Sequence, residues 1–113
     1  MEKAFAYVCA SEKTSVRQLK RYCRAVFDLG YVPICPRLGD GQYLDFDIPD
    51  EKKAYHEIAR QKLARCRMVV VCGREITSTM LAEIGIAEKR HLVCTTLGGL
   101  ASIRNAEAAP VLH

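Results

Sequence analysis

The chain has 113 residues, half of them apolar and 27% charged, the makeup of one globular domain over 1–113, too short for two. No apolar run nears the roughly 20 residues of a membrane span. The N-terminus MEKAFAYVCASEK lacks the basic-then-apolar layout of a secretion signal, so a cytoplasmic protein with no membrane partner is expected. The net charge of +4 is modest and gives no reason to expect a nucleic-acid partner.

The elements follow in order. Ala4 to Cys9 reads as a first strand and Ala10 to Lys13 as the turn after it. Thr14 or Ser15 caps a helix to about Leu29, with Val16, Leu19, Cys23, Val26 and Phe27 toward the core. Gly30 is placed to end that helix. On the same helix Arg17, Lys20, Arg21 and Arg24 form a basic stripe. It reads as a solvated outer face, without the interleaved aromatics that nucleic-acid binding would use. Tyr31 to Cys35 is a second strand, stopped by Pro36.

From Arg37 to Asp50 the run RLGDGQYLDFDIPD has no sustained period and reads as a loop over the carboxyl edge of the sheet, of a length common in lids. A second helix from Asp50 to about Arg65 sets Tyr55, Ile58, Ala59, Lys62 and Cys66 along one side. Met68 to Cys72 is a short β-branched run that fits a strand covered on both faces, ended by Gly73. Thr77, Ser78 and Thr79 supply the N-cap hydroxyls of a third helix, whose free backbone N–H groups make a seat for an anion. His91 to Thr95 is a fourth strand. Gly98 and Gly99 turn the chain, Leu100 to Arg104 form a short last helix, and the tail from Asn105 frays.

Strands alternating with helices imply a small doubly wound α/β domain: a flavodoxin- or Rossmann-like parallel sheet of four to five strands, order 2-1-3-4, in three layers. Ligands in such folds bind beyond the carboxyl ends of the strands where the strand order reverses. That crevice lies between the first and third strands, lined by Ala10, Ser11, Gly73 and the start of the third helix.

Glu83 sits about a turn and a half into that helix, with Thr79, Met80, Ile86 and Ala87 at three and four residues, a small and mostly apolar face. A carboxylate there is either a nucleophile or base activated by partial desolvation, or a surface glutamate paired with Arg90 or a lysine. No G-x-G-x-x-G or Walker lysine loop follows a strand. The six cysteines form no C-x-x-C pair or zinc-like cluster. Cys9, Cys35, Cys72 and Cys94 fall in strand-like runs and Cys23 and Cys66 on helices, as buried structural thiols would. No metal and no cofactor is expected.

Tyr7 to Ser11 at the end of the first strand, Gly30-Tyr31-Val32-Pro33 leading into the second, and VVVCG…TSTMLAEIGIA together resemble the nucleoside 2-deoxyribosyltransferase-like family and its small relatives, to about Thr95. The resemblance implies a glutamate nucleophile at Glu83 that attacks the anomeric carbon of a nucleoside or nucleotide and displaces the base. It also implies that Tyr7 orients Glu83 or touches the sugar, that Ser11 and Gly73 shape the floor, that Tyr43 or Phe46 stacks on the base, and that Asp45 or Asp47 hydrogen-bonds it. Members of the family associate, so a homo-oligomer, dimer or larger, is expected. The small relatives carry a histidine where this chain has Arg37. That leaves a second reading, a binding module that holds a phosphorylated nucleoside through Thr77, Ser78 and Thr79 and arginines such as Arg37 and Arg74, without turnover.

Overall fold

The computed structural model describes residues 2–108. Four parallel strands, β1 (Phe5–Cys9), β2 (Val32–Ile34), β3 (Met68–Val71) and β4 (Val93–Thr96), form one sheet in the order β2-β1-β3-β4. Tyr7 is paired with Ile34 on one side and Val69 on the other, and Cys9 with Val71. The helices are α1 (Val16–Asp28), α2 (Pro49–Ala64), α3 (Ser78–Lys89) and α4 (Leu97–Ala108). No helix among the described residues is long and apolar enough to cross a membrane.

Alternation along the strands divides the core in two. Ala6, Val8, Val70 and Cys72 pack with Val26 of α1 and Leu100 of α4. Tyr7, Cys9 and Val69 pack on the other face with Leu63 of α2 and Met80 and Ala87 of α3. The result is the three-layer doubly wound fold that the strand–helix alternation implies, and it places Tyr7 and Cys9, two residues apart on β1, toward α2 and α3.

Local chemistry sets most boundaries. Ser15 caps α1 by accepting from the Gln18 N–H at 3.1 Å, and Thr77 caps α3 by accepting from the Met80 N–H at 3.3 Å. Gly30 and Gly73 end an element at φ 97° and 88°, a left-handed conformation that glycine adopts without a Cβ penalty. His91 adopts φ 58° beyond the C-cap of α3, and the Leu92 N–H reaches back to the Ala87 carbonyl at 2.9 Å. His91 thus belongs to the helix stop, and β4 begins at Val93 rather than at His91.

The structure corrects several sequence expectations. Val16 and Phe27 are exposed, and the buried stripe of α1 is Leu19 and Val26. Adjacent helical residues point roughly 100° apart, so Val26 and Phe27 cannot both face the sheet; the Phe27 ring instead lies under the Lys3 ammonium, 4.6 Å from its centroid. On α2 the deeply buried residues are Tyr55 and Leu63, with Ile58, Ala59 and Lys62 half-buried, while Cys66 is buried just beyond the helix. Gly98 and Gly99 form no turn. α4 starts directly after β4, with the Thr96 hydroxyl accepting from the Gly99 N–H at 2.9 Å. A Cβ on Gly99 would stand 2.7 Å from the Thr95 hydroxyl, so glycine is needed there for close approach. The fraying expected from Asn105 does not occur before Ala108, the last helical residue described; the rest of that tail lies outside the described residues. Cys94 is exposed because β4 is the sheet's outer strand.

The loop between β2 and α2 contains two single 3-10 turns, Pro36–Leu38 and Asp40–Gln42. It is anchored by Asp40, a buried carboxylate that accepts from Lys62 of α2 at 2.5 Å and from the Tyr43 hydroxyl at 2.7 Å.

Candidate active site

A cavity of about 550 Å³ opens at the carboxyl ends of β1 and β2, among α2, α3 and the β2–α2 loop, and not between the first and third strands as the sequence suggested, since no residue of β3 or of the turn after it lines it. Glu83 projects into it from α3, alongside Thr79, Ala82 and Ile86. Tyr7 reaches it from β1, and Phe46, Tyr55 and Arg37 also line it. The size is that of a small-molecule site.

Glu83 is half-buried and makes no ion pair with Arg90; among the described residues its partners are neutral. The buried Tyr7 hydroxyl donates to Oε2, and the Cys9 thiol lies 3.6 Å from Oε1. Burial raises the Glu83 pKa above the ordinary glutamate range, the two donors pull it down, and the Glu12 charge pushes it up again. Burial is also the main reason that the Tyr7 phenol, the Cys9 thiol and the Tyr55 phenol are driven upward, each further by the Glu83 charge. Tyr7 is therefore a permanently protonated donor. It fixes one carboxylate oxygen and leaves Oε1 facing only a weakly donating thiol.

The sequence-expected site residues divide into two groups. Tyr7, Arg37, Phe46, Thr79 and Glu83 line the cavity. Ser11, Tyr43, Asp45, Asp47, Gly73, Thr77 and Ser78 do not. Ser11 is buried; its hydroxyl accepts from the Lys13 N–H at 3.2 Å and shapes the β1–α1 turn. The Arg37 guanidinium donates to the carbonyls of Ser11 and Thr14 at 3.1 and 2.7 Å, tying that turn to the loop after β2. Tyr43 is 67% exposed and holds Asp40. The Asp45 side chain accepts from the Asp47 N–H at 2.9 Å, and both residues are exposed. Gly73 faces α1, where a Cβ would meet the Tyr22 hydroxyl at 3.1 Å. At the start of α3 the Thr77 hydroxyl donates to the Glu12 carboxylate at 2.8 Å, so that hydroxyl is already engaged within the chain. Arg74 is exposed and outside the cavity.

Sequence reasoning did not single out Cys9, Cys35, Lys52, His56 and Arg60. Lys52, His56 and Arg60 recur every four residues along one line of α2, a signal that was available but reads equally as a solvated face. The Phe46 ring packs 4.7 Å from Tyr55 rather than standing free.

Cys35 lines the cavity beside Cys23, and both thiols are free. The neighbouring Cys23 thiol, together with the backbone N–H groups of Leu38 and Arg37 and the Arg37 charge, holds Cys35 below the ordinary thiol range against the opposing effect of burial. Cys94, the exposed cysteine, is instead shifted upward. Under limiting iodoacetamide at near-neutral pH, Cys35 is expected to be alkylated ahead of Cys94, because the thiolate is the reacting form. Peptide mass mapping reads the order, and faster modification of Cys94 would contradict it.

A family model described as a domain of unknown function, DUF7768, matches residues 5–96, from the first residue of β1 to the last of β4. This chain belongs to the DUF7768 family. Among curated proteins none matches. Of solved structures, a 2-deoxyribosyltransferase from the psychrotolerant bacterium Bacillus psychrosaccharolyticus has a similar fold, with a TM-score of 0.67 at 14% identity over 82% of this chain and 71% of that one. The DUF7768 domain is thus a distant relative in fold of a deoxyribosyltransferase, and its own chemistry is to be argued from Glu83 and its surroundings.

Proposed function

We propose that the DUF7768 domain breaks the N-glycosidic bond of a nucleoside or nucleotide, with Glu83 as nucleophile. The observation that carries this reading is the inward Glu83 carboxylate, half-buried in a ligand-sized cavity with one oxygen held by Tyr7. The fold shared with a 2-deoxyribosyltransferase agrees with it.

In the first step Oε1 of Glu83 adds to the anomeric carbon, the carbon–nitrogen bond breaks, and the base departs with the bonding electron pair and takes up a proton. Positive charge develops on the sugar in the transition state, and a carboxylate stabilises it before the bond closes. In the second step water or another base attacks the same carbon, loses a proton, and releases the Glu83 carboxylate. The flat rings of Phe46 and Tyr55 border the side on which a base would lie. Tyr7 acts as a positioning residue, holding Oε2 so that Oε1 is presented.

The test is to incubate the protein with nucleosides and their 5′-phosphates, follow free base by chromatography, and quench for mass spectrometry of the peptide carrying Glu83. Base release with a glycosyl adduct on Glu83 is the expected result; ligand retention without base release would replace the enzyme by a binding module. Tyr7→Phe adds a readout that a merely structural residue would not move. The Tyr7 hydrogen bond lowers the Glu83 pKa, so its loss moves the acid limb of kcat/KM to higher pH, because the nucleophile must be ionised. The maximal rate falls about 10-fold or more, the usual scale for a lost hydrogen bond to a charged group. An unshifted acid limb would remove Tyr7 from this role.

A further inference from the structure

We infer that the ligand carries a phosphate ester at the end of its sugar away from the base, bound by Lys52 and Arg60 of α2 with His56 between them. This inference names the substrate class of the cavity described above and rests on the glycosidic reading only in calling the remainder of the ligand a nucleoside.

Lys52, His56 and Arg60 all line the cavity that holds Glu83. The same three residues also border an adjoining outer hollow of about 430 Å³, so they stand along the crest between the interior and the surface. Four-residue spacing repeats the direction of each side chain at roughly 6 Å intervals along the helix axis, a row rather than a scatter of cations. None of the three is in an ion pair; among the described residues the pairs are Lys13–Glu75, Arg24–Asp28 and Lys62–Asp40. The remaining cavity arginine, Arg37, already donates to two backbone carbonyls.

The acids that line the cavity come from other elements. Glu83 and Glu12 stand on the α3 and β1 side, with Glu12 engaged by the Thr77 hydroxyl. Glu57 borders only the outer hollow. The cavity is therefore lined both by carboxylates, from α3 and the β1–α1 turn, and by cations that α2 supplies. A molecule that suits both develops positive charge at one end and carries fixed negative charge at the other, as a glycosyl phosphate does during loss of its base. A neutral nucleoside would leave Lys52 and Arg60 unused, whereas a phosphate oxygen accepts from both in charge-assisted hydrogen bonds.

Calorimetry on the full chain carrying Glu83→Gln, which prevents turnover, compares a deoxynucleoside, its 5′-monophosphate and a pyrophosphate-bridged dinucleotide. The 5′-monophosphate or the dinucleotide is expected to bind about tenfold or more tightly than the nucleoside at low salt, with the difference shrinking as salt screens it. Inorganic phosphate should compete. Adding Lys52→Ala and Arg60→Ala should bring the affinity ratio close to one, and Lys52→Arg with Arg60→Lys should restore it. Both positions are exposed and alanine favours helix, so the fold is retained, as a melting curve verifies. Equal affinity for nucleoside and phosphate, or a preference that persists in the double alanine variant, overturns the inference. Phosphate-selective binding that depends on Lys52 and Arg60, with no base released by the parent protein, sinks the glycosidic reading and leaves the phosphate site standing. Base release from nucleoside and nucleotide alike, unaltered by the double alanine change, does the reverse.

Discussion

Glu83→Gln is expected to reduce base release by at least about 10³-fold, the scale on which removal of a covalent nucleophile acts, and at the same time to raise the melting temperature. Glutamine keeps the size of the side chain and an oxygen that accepts from Tyr7, but it cannot form and release a glycosyl ester. Burial raises the Glu83 pKa in the folded protein. Between the unfolded value of about 4.3 and the raised folded value, the folded state binds more protons than the unfolded chain, so stability falls as pH rises. Above that window the full penalty for a buried charge remains, and glutamine removes it. The difference in melting temperature between variant and parent should be small near pH 4 and open upward with pH, with ~1 kcal/mol corresponding to roughly 4–8 °C in a domain of about this size. Activity within about tenfold of the parent would remove Glu83 as nucleophile. A melting temperature that drops at neutral pH would mean that the ionised group stabilises the fold.

Leu63→Ala is expected to destabilise the domain by about 2–5 kcal/mol, the range for deleting a fully buried leucine side chain. Leu63 is 1% exposed and is the residue of α2 that packs with Tyr7, Cys9, Val69 and Met80 on the site face of the sheet. It also forms part of the cavity wall, so its removal enlarges a space that neighbours cannot refill. Against a total stability of roughly 5–15 kcal/mol, the loss is a large fraction. Urea unfolding monitored by circular dichroism reads it as a lower midpoint with little change in slope. A loss below about 1 kcal/mol would show that α2 can collapse onto the sheet. Because α2 carries Lys52 and Arg60, weakened phosphate binding by the variant should be judged at temperatures well below its melting transition.

Local signals carried the fold. The β-branched run at Met68 to Val71, the Ser15 and Thr77 caps and the glycine at position 30 each act through neighbours a few residues away, and each marks an element boundary found in the structure. Alternation of strand and helix then leaves few arrangements open, because parallel crossovers share one hand. The errors arose where a residue type common in one local role served another. Gly99 reads as a turn residue, yet it is required by the approach of a threonine side chain from β4. Phe27 reads as core, yet it lies on the flank of a helix whose inward stripe is only Leu19 and Val26 wide.

The inward side of α3 was visible in the spacing around Glu83, since helical period is a property of sequence. Which neighbour would meet that carboxylate was not. Arg90 was as reasonable a partner as Tyr7 until the β1–β3 register set Tyr7 and Cys9 beneath it. The hydroxyls at Thr77 to Thr79 and the guanidinium of Arg37 had the right chemistry for an anion, and the tertiary structure gave both Thr77 and Arg37 to partners within the chain. It brought to the cavity Lys52, His56 and Arg60 of α2, which have no ion pair among the described residues. Sequence by itself determined the elements, their order and the small, mostly apolar neighbourhood of Glu83 on its helix, because these follow from short-range periodicity and capping. Only the tertiary structure decided which charges the chain uses internally, because that depends on side chains 22 to 76 positions apart in sequence being brought together by the fold.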